Sequence, residues 1–345
     1  MLHFSRWKIV LIVLSCVVFV ALSIPSFLSK EMRESLPEWM PKRAVILGLD
    51  LQGGSQLLLE VDFTAYQKEQ LTNLTDEIRI KLRNEKIGYK ALSQADGKVV
   101  FTLRDDVTAD VSKILMQLSN ELLIEQKDNT YSVAYSENWE RSSRQQVLEQ
   151  SLQIIGRRID ETGTKEPIIQ RQGDKRILLQ VPGLADPERL KEILGRTAKM
   201  TFHLVNDEVS QSDVASGIVP AGTRLVPAAD NDRYAGSSGK YPIYSRVMVS
   251  GDMLVDANTS YDAETGEPVV TFRFNTTGAR KFGEVTSENI GKPFAIVLDN
   301  KVITAPVIRS AILGGSGQIS GNFSVQSAND LALLLRAGAL PAPLK

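Results

Sequence analysis

Cysteine and histidine are nearly missing from this chain of 345 residues: it holds one cysteine, Cys16, and two histidines, His3 and His203. One thiol excludes an intramolecular disulfide and a Cys₄ zinc site. Because Cys16 sits in an apolar N-terminal segment, thiol chemistry is excluded from the remainder. Two distant histidines and no H-E-x-x-H leave no zinc triad. His203 alternates with Phe202 and Leu204 on an expected strand and reads as structural or solvated. Neither sign of charge dominates. Forty Lys and Arg face 41 Asp and Glu, a net charge of −1 with no basic block, which argues against nucleic acid as a partner. Gly236–Lys240 and Gly291-Lys292 lack the upstream glycine and following Ser or Thr of a P-loop. Gly315, Gly317 and Gly321 have the wrong spacing for a dinucleotide. Asp230-Asn231-Asp232 puts Tyr234 and Ala235 where a calcium loop needs a ligand and a glycine. No enzyme, cofactor or metal site is expected.

What is present is a 43% apolar composition, enough for real cores, and a length that allows two domains. From Ile9 to Ser29 the chain carries no charge, with Arg6 and Lys8 before and Lys30 after. This fits a membrane anchor. It also fits a cleaved signal peptide with Ala21-Leu22-Ser23 as the cleavage region. Beyond it, Leu47, Leu49 and Leu51 alternate with Gly48, Asp50 and Gln52 as in a half-buried strand. Gly53-Gly54 interrupts, and Gln56–Val61 resumes. Paired glycines inside a strand mark a bulge or bend, and Asp50 can accept bonds from the freed N–H groups.

Helix and strand signals then alternate. Leu71, Leu74, Ile78 and Leu82 stripe a helix that Gly88 can end, and Asp96-Gly97 turns a hairpin. Val111, Leu115, Leu118 and Leu122 stripe a second helix, and Tyr131, Val133 and Tyr135 alternate as a strand. The order recurs: a helix opened by Ser142 with Gln145 in a capping box, a hairpin on Gly173-Asp174, a helix opened by Asp186 and Pro187, and a strand over Lys199–Val205. Residues 206–245 are Ser-, Gly- and Pro-rich, with a flexible loop expected over Asp230–Tyr241. Later come a strand at Val269–Phe274, a helix capped by Thr276, a hairpin on Asp299-Asn300, and a last helix opened by Ser324.

The G-x-D-L-x-G-G string at Gly48–Gly54 after an apolar segment resembles the SecD subunits of the bacterial protein-export machinery, and Leu51 separates it from the D-F-x-G-G of SecF. Ile155-Gly156-Arg157-Arg158-Ile159-Asp160, Gly163, Glu166-Pro167, Gln170, and Arg176 through Pro182-Gly183 resemble the family's first extracytoplasmic domain. Lys292–Pro306 and Leu335–Pro341 resemble its later parts.

The resemblance implies an α+β fold. An uncleaved transmembrane helix (1–30) and a stalk (31–43) lead to a ferredoxin-like split β-α-β base carrying an inserted α+β head. Base falls at 44–63, 139–205 and 317–345, the head at 206–316, and 64–138 is the additional segment of longer forms. It further implies an inner-membrane location with the bulk extracytoplasmic and a non-enzymatic role in export. Implied partners are SecF, the SecYEG channel, accessory Sec membrane subunits, unfolded preprotein and the lipid bilayer. Five more membrane helices, which respond to the proton gradient, are expected beyond such a segment. The alternative role is a scaffold that docks SecF and SecYEG without touching substrate. A head that swings on its base has hinge candidates at Val205-Asn206 and at Gly314, Gly315 and Gly317. Arg157 can pair with Glu161 along the helix, or one of Arg157 and Arg158 can reach the bend at Asp50.

Overall fold

The structure, a computed structural model, describes residues 6–23, 54–104, 111–163, 167–182, 187–229 and 239–345. It divides into an N-terminal unit and a unit over Ser55–Lys345. In the first, helix α1 covers Arg6–Ser23, 18 residues, with charged Arg6 and Lys8 in its opening turn. Among the described residues no helix is long and apolar enough to cross a membrane; a span needs about 20 apolar residues.

The larger unit is mixed α and β, as expected, and is built from several small sheets. Strand β1 (Gly54–Glu60) leads into helix α2 (Phe63–Asn84), whose Asp62 cap accepts the Ala65 N–H at 3.1 Å. Leu74, Ile78 and Leu82 are buried, one turn apart. The helix stops at Glu85, short of Gly88. Strands β2 (Tyr89–Ala95) and β3 (Lys98–Leu103) form the expected hairpin on Asp96-Gly97. The second stripe is corrected. Helix α3 covers only Val111–Met116, and Leu122 opens strand β4 (Leu122–Lys127) instead of continuing the helix. Ser119 Oγ accepts the Glu121 N–H at 3.1 Å, a local turn that competes with helix. Strand β5 (Thr130–Tyr135) pairs with both β3 and β4, closing a sheet of order β2-β3-β5-β4 over its own apolar core.

Helix α4 (Glu137–Glu161) begins earlier than expected. Ser136 caps it by accepting from the Trp139 N–H, while Ser142 lies inside the helix with its hydroxyl on the Trp139 carbonyl. Strands β6 (Ile168–Gln172) and β7 (Arg176–Pro182) join β1 in a sheet of order β1-β7-β6, under helix α5 (Pro187–Gly195). The last residues of the chain lie along the other side of β1: Val61 bridges Leu344 antiparallel, and the Glu60 and Lys345 backbones exchange bonds of 2.8 Å. Leu340, Ala342 and Leu344 thus share a core with Leu148, Ile155 and Leu179.

Strand β8 (Met200–Leu204) then leaves this sheet. The two stretches with the same element order therefore do not fold as copies, because the first completes its own sheet and the second gives its last strand away. Helix α6 (Gln211–Ser216) and strands β9 (Thr223–Pro227) and β10 (Lys240–Tyr244) give order to part of 206–245. Strand β11 (Val249–Ser250), β12 (Leu254–Tyr261), β13 (Pro268–Phe274), helix α7 (Thr276–Glu288, capped by Asn275 rather than Thr276), β14 (Phe294–Leu298), β15 (Lys301–Thr304), β16 (Ser316–Ile319) and helix α8 (Val325–Ala337) follow. Sheets β11-β8-β14-β15 and β12-β13-β16 enclose a core of Phe202, Phe272, Phe274, Phe282 and Phe294. Their rings lie 5.2–6.1 Å apart, in the tilted and edge-on contacts that aromatic rings prefer.

Candidate functional site

The most constrained polar site gathers where two cores meet. Helix α4 carries Ile155 and Ile159 into the core with β7, and the same face brings in Arg158, which is fully buried. All its terminal N–H groups are used. Nη1 donates to the carbonyls of Ile193 (2.8 Å) and Arg196 (2.5 Å), and Nη2 to those of Thr197 (3.1 Å) and Gly338 (3.2 Å). Ile193 is in α5, Arg196 and Thr197 directly follow it, and Gly338 caps α8. One guanidinium thus caps the carbonyl ends of two helices, where a cation is favoured. Burial pulls its pKa down to about 10, partly opposed by Asp299, so it stays charged at neutral pH. Nε finds no partner among the described residues.

Asp299, in the β14–β15 turn, accepts from the backbone N–H groups of Ala198 (3.0 Å) and Lys199 (2.9 Å) and from the Thr197 hydroxyl. Arg336 of α8 forms a second clasp: it grips Glu161 with Nε (3.0 Å) and Nη2 (2.7 Å), and its Nη1 reaches the Ala257 carbonyl (3.1 Å) and Asn258 Oδ1 (3.0 Å). Glu161 therefore pairs across helices rather than with Arg157, which corrects the local ion pair expected from spacing. Arg157 is exposed and lines a crevice of about 120 Å³ with Met200, Arg336 and Gly338.

Asp50, Leu51, Gly53, Glu166 and Gly183 lie outside the described residues, so the expected Asp50 contact falls there too. Gly54 opens β1 at φ +147°, a backbone that favours glycine. Gly156 faces Ile169 of β6, and a Cβ there would make an ordinary contact of 3.7 Å, so the packing does not demand glycine. Gly163 (φ +75°) follows the end of α4, while Pro167 precedes β6 and Pro182 ends β7.

The hinge candidates Val205 and Asn206 are tied to neighbouring backbone. The Val205 N–H donates to Pro293 O (3.1 Å) and the Asn206 N–H to Pro242 O (2.8 Å), while the buried Asn206 amide donates to Thr223 Oγ1 (2.9 Å). Gly315 (φ +65°) accepts the Phe274 N–H, and a Cβ on it would meet that of Ala279 at 2.3 Å. A Cβ on Gly317 would meet the Phe272 ring at 2.6 Å, and Gly314 has open space around it. Gly315 and Gly317, but not Gly314, allow close packing at β16.

His203 is fully buried. Its Nδ1 lies 2.9 Å from the Tyr244 carbonyl, which can only accept. Its Nε2 lies 3.0 Å from Thr201 Oγ1 and 3.3 Å from Arg224 Nη2, which can only donate. The ring is therefore held as the neutral Nδ1–H tautomer, and burial lowers its pKa. Arg158, Asp299, Arg336 and His203 form no catalytic relay, and the described residues contain no group of three or more side chains able to hold a metal. Sequence reasoning singled out Arg158 but missed Arg336 and Asp299; a basic residue in the last turn of the final helix was the available signal for Arg336.

Comparison with known proteins places this arrangement. Residues 225–342 match the family model of the SecDF P1 head subdomain, 148–207 that of the N-terminal P1 domain of the protein translocase subunit SecDF, and 39–65 the SecD/SecF GG motif. A crystal structure of SecDF in its super-membrane-facing form superposes with a TM-score of 0.51 at 26% identity, covering 96% of this chain and 34% of that one. The fold is thus of the P1 type found in protein-translocase subunits. Protein translocase subunit SecD of Rickettsia conorii is 45% identical over 99% of the chain, and that of Acetobacter pasteurianus 41% over 99%. The chain belongs to the SecD family. It spans 64–65% of the length of these relatives.

Proposed function

We propose that this chain works in Sec-dependent protein export as a non-enzymatic part of a SecD subunit. The observation that carries the reading is identity of 45% to a protein translocase subunit SecD over 99% of the chain. The apolar stretch Ile9–Ser29 anchors the chain in the bacterial inner membrane as a single span, and the bulk lies outside the cytoplasm. The sheet β1-β7-β6, with the chain's tail beside β1, serves as a ferredoxin-like base, and the body around the phenylalanine core as its head. The head binds unfolded preprotein as it emerges from SecYEG and favours its outward movement, in company with SecF and accessory Sec subunits. The proton gradient supplies the energy through membrane helices of the whole subunit. The chemistry of the site supports a mechanical role: two arginine clasps and an aspartate join helices and turns, and none of them is placed to activate a nucleophile.

Photocrosslinking from exposed head positions to a stalled, partly exported chain tests the reading. Substrate crosslinks are expected. Their absence in a normally assembled complex refutes substrate binding and leaves the scaffold role, in which mutation of exposed apolar head residues spares export.

A further inference from the structure

Sheet edges in folded proteins are normally blunted by charge, proline, bulges or cover, since an open edge pairs with any extended chain. Among the described residues, β16 is the exception. Edge strand β4 carries Glu125 and Lys127, β2 carries Lys90 and a bulge, β6 carries Arg171, β10 carries Lys240 and Pro242, β9 carries Arg224 and Pro227, and β15 carries Lys301. Strand β12, the other edge of the same sheet, has a bulge, and Arg336 bonds its Ala257 carbonyl. The chain's tail covers β1, and β11 has only two residues. Strand β16 reads Ser316-Gly317-Gln318-Ile319: no charge, no proline and no bulge.

Its outward groups follow from the register. The Phe274 N–H donates to Gly315 O at 2.9 Å, making that a hydrogen-bonded antiparallel pair. Phe272 with Gly317 and Val270 with Ile319 are then the next such pairs. Ser316 and Gln318 therefore turn their N–H and C=O groups away from β13, and no described residue bonds them. Beside this edge a cleft of about 260 Å³, lined by Phe202, Phe272, Phe282, Phe294 and Val307, opens along Gly317 and Gln318. The other face of the strand is polar, with the Gln318 amide donating to Asp262 Oδ2 at 2.9 Å. Alternating donors and acceptors at strand spacing are complementary to one kind of partner, another extended backbone.

We infer that an extended, unfolded polypeptide segment adds to β16 as a further strand, using the outward main-chain groups of Ser316 and Gln318 and setting an apolar side chain in the phenylalanine cleft. This rests on the preprotein-binding reading above and gives it a mode. Main-chain bonding is independent of sequence, which suits a subunit that handles many substrates. Two residues of ladder give weak contact, which suits release.

The test is fluorescence titration of the full chain with labelled, reduced and carboxymethylated α-lactalbumin as the unfolded probe. Gln318→Pro removes an outward N–H and no ladder bond, so the sheet tolerates it; it is expected to weaken binding about tenfold, one bond and its geometry. Gln318→Ala keeps the main chain and stays within about twofold. Wild-type-like binding by a folded Gln318→Pro chain overturns the inference alone. No binding by the unsubstituted chain overturns the preprotein reading with it. Amide hydrogen exchange of the unsubstituted chain decides the matter if Gln318→Pro fails to fold. Slowed exchange at Ser316 and Gln318 with saturating probe supports the inference, and unchanged exchange overturns it. Protection that rises with chain concentration in the absence of probe also overturns it, in favour of pairing between two copies.

Discussion

Replacing Arg158 with methionine removes a buried cation while nearly keeping its length, and four carbonyls of α5, its following turn and α8 lose their donor together. Hydrogen bonds to a charged group contribute about 1.5–3 kcal/mol each, but they share one side chain and do not add. Buried carbonyls left without a donor cost about 1–3 kcal/mol each, and with several stranded together about 3–5 kcal/mol is the expected deficit. For a body of this size each kcal/mol moves the unfolding midpoint by about 2–4 °C, so Arg158→Met lowers Tm by about 6–20 °C. Arg158→Lys keeps the charge but offers a point donor where a planar fork is used, and recovers about half or less. Because burial lowers the Arg158 pKa only to about 10, folded and unfolded chains both hold it charged from pH 5 to 8. The deficit is therefore flat across that window, unlike that of a titrating site. Calorimetry with amide exchange at residues 193–197 is the assay. A Tm within about 2 °C of the parent, with unchanged exchange there, refutes the view of Arg158 as the fastener of the junction.

Stability should also fall in mild acid through His203. Its folded pKa lies below the ordinary 6.5, so the unfolded chain binds the proton more readily; the stabilisation is complete above about pH 6.5 and is lost as pH falls below it. Tm measured from pH 8 to 5 drops in the parent, and the drop is blunted in His203→Gln; equal slopes refute the assignment. Gly315→Ala puts a methyl group at φ +65° against Ala279, which costs about 2–4 kcal/mol from overpacking and backbone strain together; denaturant unfolding measures it, and a loss below about 0.5 kcal/mol contradicts the packing role. Arg336→Ala releases Glu161 and the Ala257 carbonyl at a partly exposed site, with a cost of about 1–2 kcal/mol; a double-mutant cycle with Glu161→Gln should give a coupling near 1 kcal/mol or less, and no coupling rejects the clasp.

Local signals carried much of the fold. Glycine-marked hairpins at Asp96-Gly97 and Gly173-Asp174 fell where their turn chemistry requires. Apolar stripes gave α2, α4 and α8. Leu122 was misread because one leucine fits both a helical stripe and the first position of a strand; β5, far along the chain, decides between them. Ser142 with Gln145 is a sound capping pair in isolation, yet Ser136 caps the helix six residues earlier. The junction was less legible. Arg158 stood out by its neighbours, but its partners are backbone carbonyls 35 to 180 residues away, and a carbonyl leaves no mark in a sequence. Asp299 looked like a turn residue, which it is, and its three acceptor contacts to Thr197–Lys199 depend on β14 pairing with β8.

The two apolar cores of the larger unit share elements across the expected boundary between base and head. The expected boundary after Val205 follows strand β8, whose Met200 and Phe202 belong to the phenylalanine core. Two elements serve both cores. Helix α5 gives Ile193 to one and Leu190 and Leu194 to the other. Helix α8 gives Leu331–Leu335 to the first, and the chain just after it gives Leu340, Ala342 and Leu344 to the second. Arg158 holds the ends of both elements at once, with Gly338 (φ +96°) in the short link that follows α8. Relative rotation of the two bodies must therefore bend α5's exit and the Gly338 link, and it must stretch or keep the bonds of one guanidinium. A division of the chain after Val205 would separate β8 from β14, its partner over all five residues. The bonds that join the two cores thus converge on the arginine that the Gly156-Arg157-Arg158 string first marked.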